Sequence, residues 1–106
     1  MGDEVLTALA ATIRARRGES TERSYTRQLL EAGPERCARK LGEEAIETVI
    51  AGISGEPEAL EAEAADLIYH LLVLLESRGV ALSDVLAVLE ARSGTSGLAE
   101  KAARGR

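Results

Sequence analysis

Large aromatic side chains are almost missing from this sequence: there is no phenylalanine and no tryptophan, and only two tyrosines, Tyr25 and Tyr69. A core without rings must be filled by Leu, Val, Ile and Ala, which favours helix packed on helix. A second cysteine is also missing. Cys37 stands alone, which excludes an internal disulfide and suits a reducing, cytoplasmic setting. An excess of positive charge is absent too. The net charge of −5 argues against a general nucleic-acid or anionic-membrane binder. No long apolar run occurs: the strongest, Leu67 to Leu75, is interrupted by Tyr69 and His70 and falls far short of the roughly 20 residues of a membrane span. No leader-like pairing of basic residues with an apolar stretch opens the chain. With 106 residues the chain is one small domain with a thin core, and association with a second copy is an expected source of further burial.

What is present reads as helix from end to end. Asp3 to Arg16 places Val5, Leu6, Leu9, Ala10 and Ile13 on one side, with acids at its positive end and arginines at its negative end. Gly18-Glu19-Ser20 breaks it. A short helix from about Ser24 to Glu31 is stopped by Ala32-Gly33-Pro34. A third runs from near Pro34 to about Ala51, with an apolar stripe of Cys37, Leu41, Ala45 and Val49 flanked by Ala38, Ile46, Ile50 and Ile53. A fourth opens at Glu56-Pro57-Glu58, where proline suits the first turn, and runs to about Arg78. Its second half is apolar nearly all round, which predicts a central position or a subunit interface. Ser83 is the expected cap of a fifth helix ending near Arg92, with Val85, Leu86, Val88 and Leu89 inward. The fold class is all-α, about five helices. Residues 1–92 form the helical domain and 93–106 a basic tail expected to be mobile.

The chemistry-bearing stretch is Lys40-Leu41-Gly42-Glu43-Glu44-Ala45-Ile46-Glu47, echoed by Glu63-Ala64-Ala65-Asp66. On helices, Glu43 and Glu47 lie roughly 40° apart, and Glu44 and Glu47, like Glu63 and Asp66, about 60° apart. Five carboxylates can therefore meet where the two helices face each other. Glutamate is also the default residue of a solvated helix face, and Lys40 could pair with Glu44 one turn on. Glu56, Glu58 and Glu61 are explained by the positive end of their helix. The mid-helix five are harder to explain in this way. Two carboxylates about 4 Å apart near a surface repel by roughly 4 kcal/mol, and Lys40 supplies one charge. A hard divalent ion would offset the remainder, and an oxygen-only donor set selects Mg²⁺ or Mn²⁺ over Zn²⁺. Spacing alone leaves metal binding and a solvated face both open.

Lys40-x-Gly42-Glu43-Glu44-x-x-Glu47 followed by Glu63-x-x-Asp66 resembles the paired E-E-x-x-E and E-x-x-D signature of the MazG-like all-α nucleotide pyrophosphohydrolases. Ser24-Tyr25-Thr26, the block from Lys40 to Ala51, the run Ala64 to Leu75 and the tail Gly94 to Ala102 are together similar to the phosphoribosyl-ATP pyrophosphohydrolases of histidine biosynthesis. No cyclohydrolase segment, carried by some members, is visible, so the stand-alone form is expected. The resemblance implies Mg²⁺-dependent hydrolysis (Mn²⁺ being an alternative) of the α–β phosphoanhydride of phosphoribosyl-ATP to phosphoribosyl-AMP and pyrophosphate. It implies Glu43, Glu44, Glu47, Glu63 and Asp66 as metal ligands, with Glu44 and Glu47 as the catalytic carboxylates and Glu44 favoured to orient or deprotonate water. A homodimer packed through the apolar fourth helix is expected, with the active site between helices three and four.

Around the carboxylates, Lys40 is a candidate phosphate contact, and Ser24, Tyr25 and Thr26 are candidate substrate hydroxyls at a helix N-terminus. Lys101 and Arg104 in the tail are candidates to close over the nucleotide. Arg14, Arg17, Arg23, Arg27, Arg36 and Arg39 are candidates for the phosphoribosyl end. Tyr69 and His70 read as packing or supporting groups, and Cys37 as a buried apolar residue. Two alternatives stay open at this point: hydrolysis of other nucleoside triphosphates, and a non-enzymatic helical module whose acidic face is merely solvated.

Overall fold

A computed structural model describes residues 2–93, and among these residues the chain forms five α-helices and no strand. They are α1 (Gly2–Ala15), α2 (Tyr25–Ala32), α3 (Pro34–Ser54), α4 (Pro57–Ser77) and α5 (Leu82–Arg92), with a 3-10 turn at Arg16–Gly18. The expected tail contacts of Lys101 and Arg104 lie outside the described residues.

The two longest helices organise the rest. α3 and α4 have 21 residues each and two residues between them, so they run antiparallel as a hairpin about 30 Å long. Proline at the first turn of each suits a position where no backbone donor is needed. α2 ends at Gly33, whose φ of 98° is in the left-handed region that favours glycine. Pro34 then starts α3 at once. The joint is tied by the Cys37 thiol, which donates to the Leu29 carbonyl at 3.2 Å.

The core lies at one end of this hairpin, where α1 and α2 cross it. Ile13, Leu29, Leu30, Cys37, Leu72 and Val73 are buried together, with Leu9, Tyr69, Leu74, Leu75 and Leu82 packed around them. Cys37 is thus a packing residue, as its sequence context implies. The other end of the hairpin has little cover. Ile46, Val49, Ile50 and Ile53 on α3 are exposed, Ile53 by 82%, as are Leu60, Ile68 and Leu71 on α4. The expected α3 stripe is therefore split: Cys37 is buried and Leu41 and Ala45 partly so, while Ala38, Val49, Ile46, Ile50 and Ile53 face out. The surface of α3 that meets α4 includes Glu44 and Thr48 instead.

Three other expectations need correction. α3 continues to Ser54 rather than stopping near Ala51; Gly52 stays helical, and the Leu60 side chain packs 3.7 Å from where its Cβ would be. Ser83 does not cap α5. The helix starts at Leu82, with Ala81 before it and no side-chain cap. Val88 and Leu89 are exposed rather than inward, by 49% and 57%: only Leu82, which packs against the core, and Val85 and Leu86 in the first turns of α5 are partly buried.

Candidate active site

Antiparallel pairing of α3 with α4 sets two acidic segments side by side. Carboxylate oxygens of Glu44, Glu63 and Asp66 all lie within 4.8 Å of one another. Glu44 is buried, at 8% exposure. Glu63 is half-buried and Asp66 is open to solvent, so the group forms a graded mouth rather than a sealed pocket. Oε1 of Glu63 is buried and has no hydrogen-bond partner. Such an atom is costly unless something meets it.

Electrostatics points the same way. Loss of hydration pushes the Glu63 carboxyl above the ordinary value of 4.5, and the neighbouring Glu47, Asp66 and Glu44 push it further. Glu47 lies next to Glu63, on the exposed side of α3. Lys40 Nζ lies 3.2 Å from Glu43 Oε1 and 3.9 Å from Glu44 Oε2. That raises the lysine's own pKa, chiefly through the bond to Glu43, with the Tyr25 phenol near enough to add to it. Three of the five expected carboxylates therefore come together, with Glu47 beside Glu63. Glu43 instead turns along α3 to Lys40.

α2 supplies the next layer. The Ser24 hydroxyl accepts from the Arg27 N–H at 3.0 Å and so caps α2. The Thr26 hydroxyl is hydrogen-bonded to the Tyr69 phenol. His70 Nδ1 lies 2.8 Å from the Asp66 carbonyl. A carbonyl only accepts, so Nδ1 carries the proton, and Nε2 faces the Tyr25 hydroxyl at 3.4 Å. His70 thus joins Tyr25 to the turn that bears Asp66, through the backbone and not the carboxylate. Ser24 and Thr26 are buried and already bonded within the protein, whereas Tyr25 is 47% exposed.

Among the arginines, Arg17 binds Glu76 at 2.5 Å and Arg27 binds Glu31 at 2.7 Å. Both are thereby engaged away from the carboxylates. Thr48 has no counterpart among the expected residues. Its hydroxyl lies 2.8 Å from the Glu44 carbonyl and 3.2 Å from the Glu63 carbonyl. Only its position one turn after Glu44 could have drawn attention to it.

The donor set can be tested for fit to a metal ion. It offers carboxylate oxygen alone, with no nitrogen or sulfur, which suits Mg²⁺ or Mn²⁺. The orphaned Glu63 oxygen is an atom that a cation would satisfy. The residues fit.

The sequence pattern of known pyrophosphohydrolases matches over most of the chain: the phosphoribosyl-ATP pyrophosphohydrolase family aligns with residues 6–93. The chain belongs to that family. Relatives named phosphoribosyl-ATP pyrophosphatase include one from a strain of Cereibacter sphaeroides, 56% identical over 95% of this chain and 98% of its own. Others come from Jannaschia sp., 56% identical over 93% of this chain and 97% of its own, and from Ruegeria pomeroyi, 55% identical over 94% and 95%. Family membership removes the non-enzymatic helical module from consideration.

Proposed function

We propose that this chain hydrolyses the α–β phosphoanhydride of phosphoribosyl-ATP, giving phosphoribosyl-AMP and pyrophosphate in histidine biosynthesis, with Mg²⁺ as cofactor. The observation that carries the reading is the convergence of Glu44, Glu63 and Asp66 around a buried oxygen that lacks a partner. In this family context, such a group is a cation holder.

Glu44, Glu63 and Asp66 would hold the ion, with Glu47 beside them. When bound, Mg²⁺ offsets the charge of the phosphate oxygens and polarises the anhydride. Glu47 faces solvent, so its carboxylate is free to orient the attacking water and accept its proton, while Glu44 fixes the inner side of the site. Water forms the new P–O bond at the α-phosphorus as the bond to the pyrophosphate oxygen breaks. Lys40 is suited to a phosphate contact, exchanging its bond to Glu43 for a substrate oxygen. Glu43 then acts by parking Lys40 in the absence of substrate. Tyr25, partly exposed and close to Lys40, is the hydroxyl of the α2 N-terminus best able to touch substrate, and Ser24 and Thr26 support it. We assign Lys101 to phosphate contact as well, and a chain ending at Arg92 should show a raised KM.

The reading extends to assembly and place. The apolar surface of α3 and α4 supports a homodimer, and an unpaired thiol supports a cytoplasmic enzyme. No helix among the described residues is long and apolar enough to cross a membrane.

The deciding experiment is pyrophosphate release from phosphoribosyl-ATP, compared with a panel of ordinary and modified nucleoside triphosphates, with and without chelator. Release from phosphoribosyl-ATP that needs Mg²⁺ is expected. Equal turnover of the panel would overturn the substrate, and turnover in chelator would overturn the metal.

A further inference from the structure

We propose that Thr48 is a positioning residue that sets the register of α3 against α4 and thereby the spacing of the metal-binding carboxylates. The inference rests on the cation-holding role given to Glu44, Glu63 and Asp66 and adds a residue which that role does not include.

The two carbonyls that Thr48 meets belong to Glu44 of α3 and Glu63 of α4, two of the three residues whose carboxylates gather. A threonine bonded to the carbonyl four residues back is common in helices and by itself means little. The second contact differs, because it crosses to the neighbouring helix. One hydroxyl proton is shared between two carbonyl oxygens, at 2.8 Å and 3.2 Å. The side chain is partly buried, so water does not compete freely for it. Ile46, Val49, Ile50 and Ile53 around it point outward, so the apolar side chains taken out of solvent beside it are mostly small, Ala45, Ala51 and Ala64, and small smooth contacts fix register less sharply than a directed bond. A shift of α3 along α4 by a fraction of a turn would carry Glu44 away from Glu63. Mg²⁺ tolerates little of that, because it demands near-ideal octahedral distances. The hydroxyl is a directional link from α3 to the backbone of α4 at the level of the carboxylates.

The test compares Thr48→Val, which keeps the shape and loses the hydroxyl, with Thr48→Ser, which keeps the hydroxyl. Ser77→Ala serves as a control, since it removes another hydroxyl-to-carbonyl bond, that of Ser77 to Leu74 at 2.7 Å, at the far end of α4. Mg²⁺ affinity is measured by calorimetry, and the Mg²⁺ dependence of pyrophosphate release is measured alongside. Thr48→Val should weaken Mg²⁺ binding roughly tenfold, at the lower end of what is lost with a residue supporting metal ligands, with kcat recovered at saturating Mg²⁺. Thr48→Ser should bind within about twofold of wild type on the same reasoning, and Ser77→Ala should bind unchanged. If Thr48→Val does not fold, Thr48→Cys replaces it, since a thiol is a much poorer donor of similar size. Unchanged affinity in Thr48→Val, equal loss in Thr48→Ser, or a loss of kcat that saturating Mg²⁺ does not recover would each overturn the proposal. A wild-type protein that binds no Mg²⁺ would instead overturn the metal assignment itself, and this proposal with it.

Discussion

Glu63 shows how a single side chain can cost stability and supply function. It is half-buried, one of its oxygens has no partner, and three other carboxylates surround it. In the metal-free chain it therefore holds its proton more tightly than it does when unfolded. As pH rises past the ordinary value of 4.5, the unfolded chain gives up that proton first, and folding stability falls. The contribution is full below that pH and is lost as pH climbs through the raised value. Melting temperatures in chelator should thus decline from the carboxylate range toward neutrality, more steeply in wild type than in Glu63→Gln. At neutral pH, Glu63→Gln should melt higher than wild type without metal and lose the upward shift that Mg²⁺ gives wild type. Calorimetric melts with and without Mg²⁺ check both; a Glu63→Gln protein that still gains stability from Mg²⁺ would remove Glu63 from the ligand set. Glu47→Gln keeps shape and removes charge. With Glu47 handling the attacking water, turnover should fall on the order of a hundredfold or more, and near-normal turnover would count against its role.

At the level of elements, α3 has its apolar residues split between its two sides, unlike a simple bundle helix. Its partner-facing side carries Glu44 and Thr48, and its outward side carries Ile46, Val49, Ile50 and Ile53. The starts of α3 and α4 were legible because Gly33, Pro34 and Pro57 act within a turn of where they stand, whereas Gly52 did not end α3 and Ser83 did not cap α5. Which side of α3 faces α4 was not legible, because apolar spacing identifies a stripe without saying what covers it. The carboxylate grouping was legible from spacing, since Glu44, Glu63 and Asp66 are fixed by helical pitch once the hairpin forms. The turn of Glu43 toward Lys40 was not. α2 makes a simpler case. It is docked on α4 by the bond between Thr26 and Tyr69 and by the contact of Tyr25 with His70. Burial raises the Tyr69 pKa, in keeping with a phenol turned inward. Tyr69→Phe should cost about 1 kcal/mol, plus part of the desolvation of the hydroxyl left behind. Denaturant unfolding measures that, and a loss of several kcal/mol would mean that Tyr69 holds more than α2.

On the scale of the whole molecule, the uneven core is the governing fact. Ile13, Leu29, Leu30, Cys37, Leu72 and Val73 close one end of the hairpin, while a row of β-branched residues stays in water at the other. Burying each such side chain is worth roughly 1.5–3 kcal/mol, so a dimer that covers several of them is expected to be more stable than the separate chains. Sedimentation should show a dimer in wild type. Ile50→Glu should shift it toward monomer and lower the melting temperature. An Ile50→Glu protein that remains dimeric would place the interface elsewhere. By itself the sequence determined the helical class, the breaks between helices and the set of acids able to gather, because each depends on neighbours within a turn or two. Only the tertiary structure decided which acid is turned away, which hydroxyl spans the two helices and which apolar face stays bare. Those outcomes depend on how one helix is rotated about another, which no local pattern records.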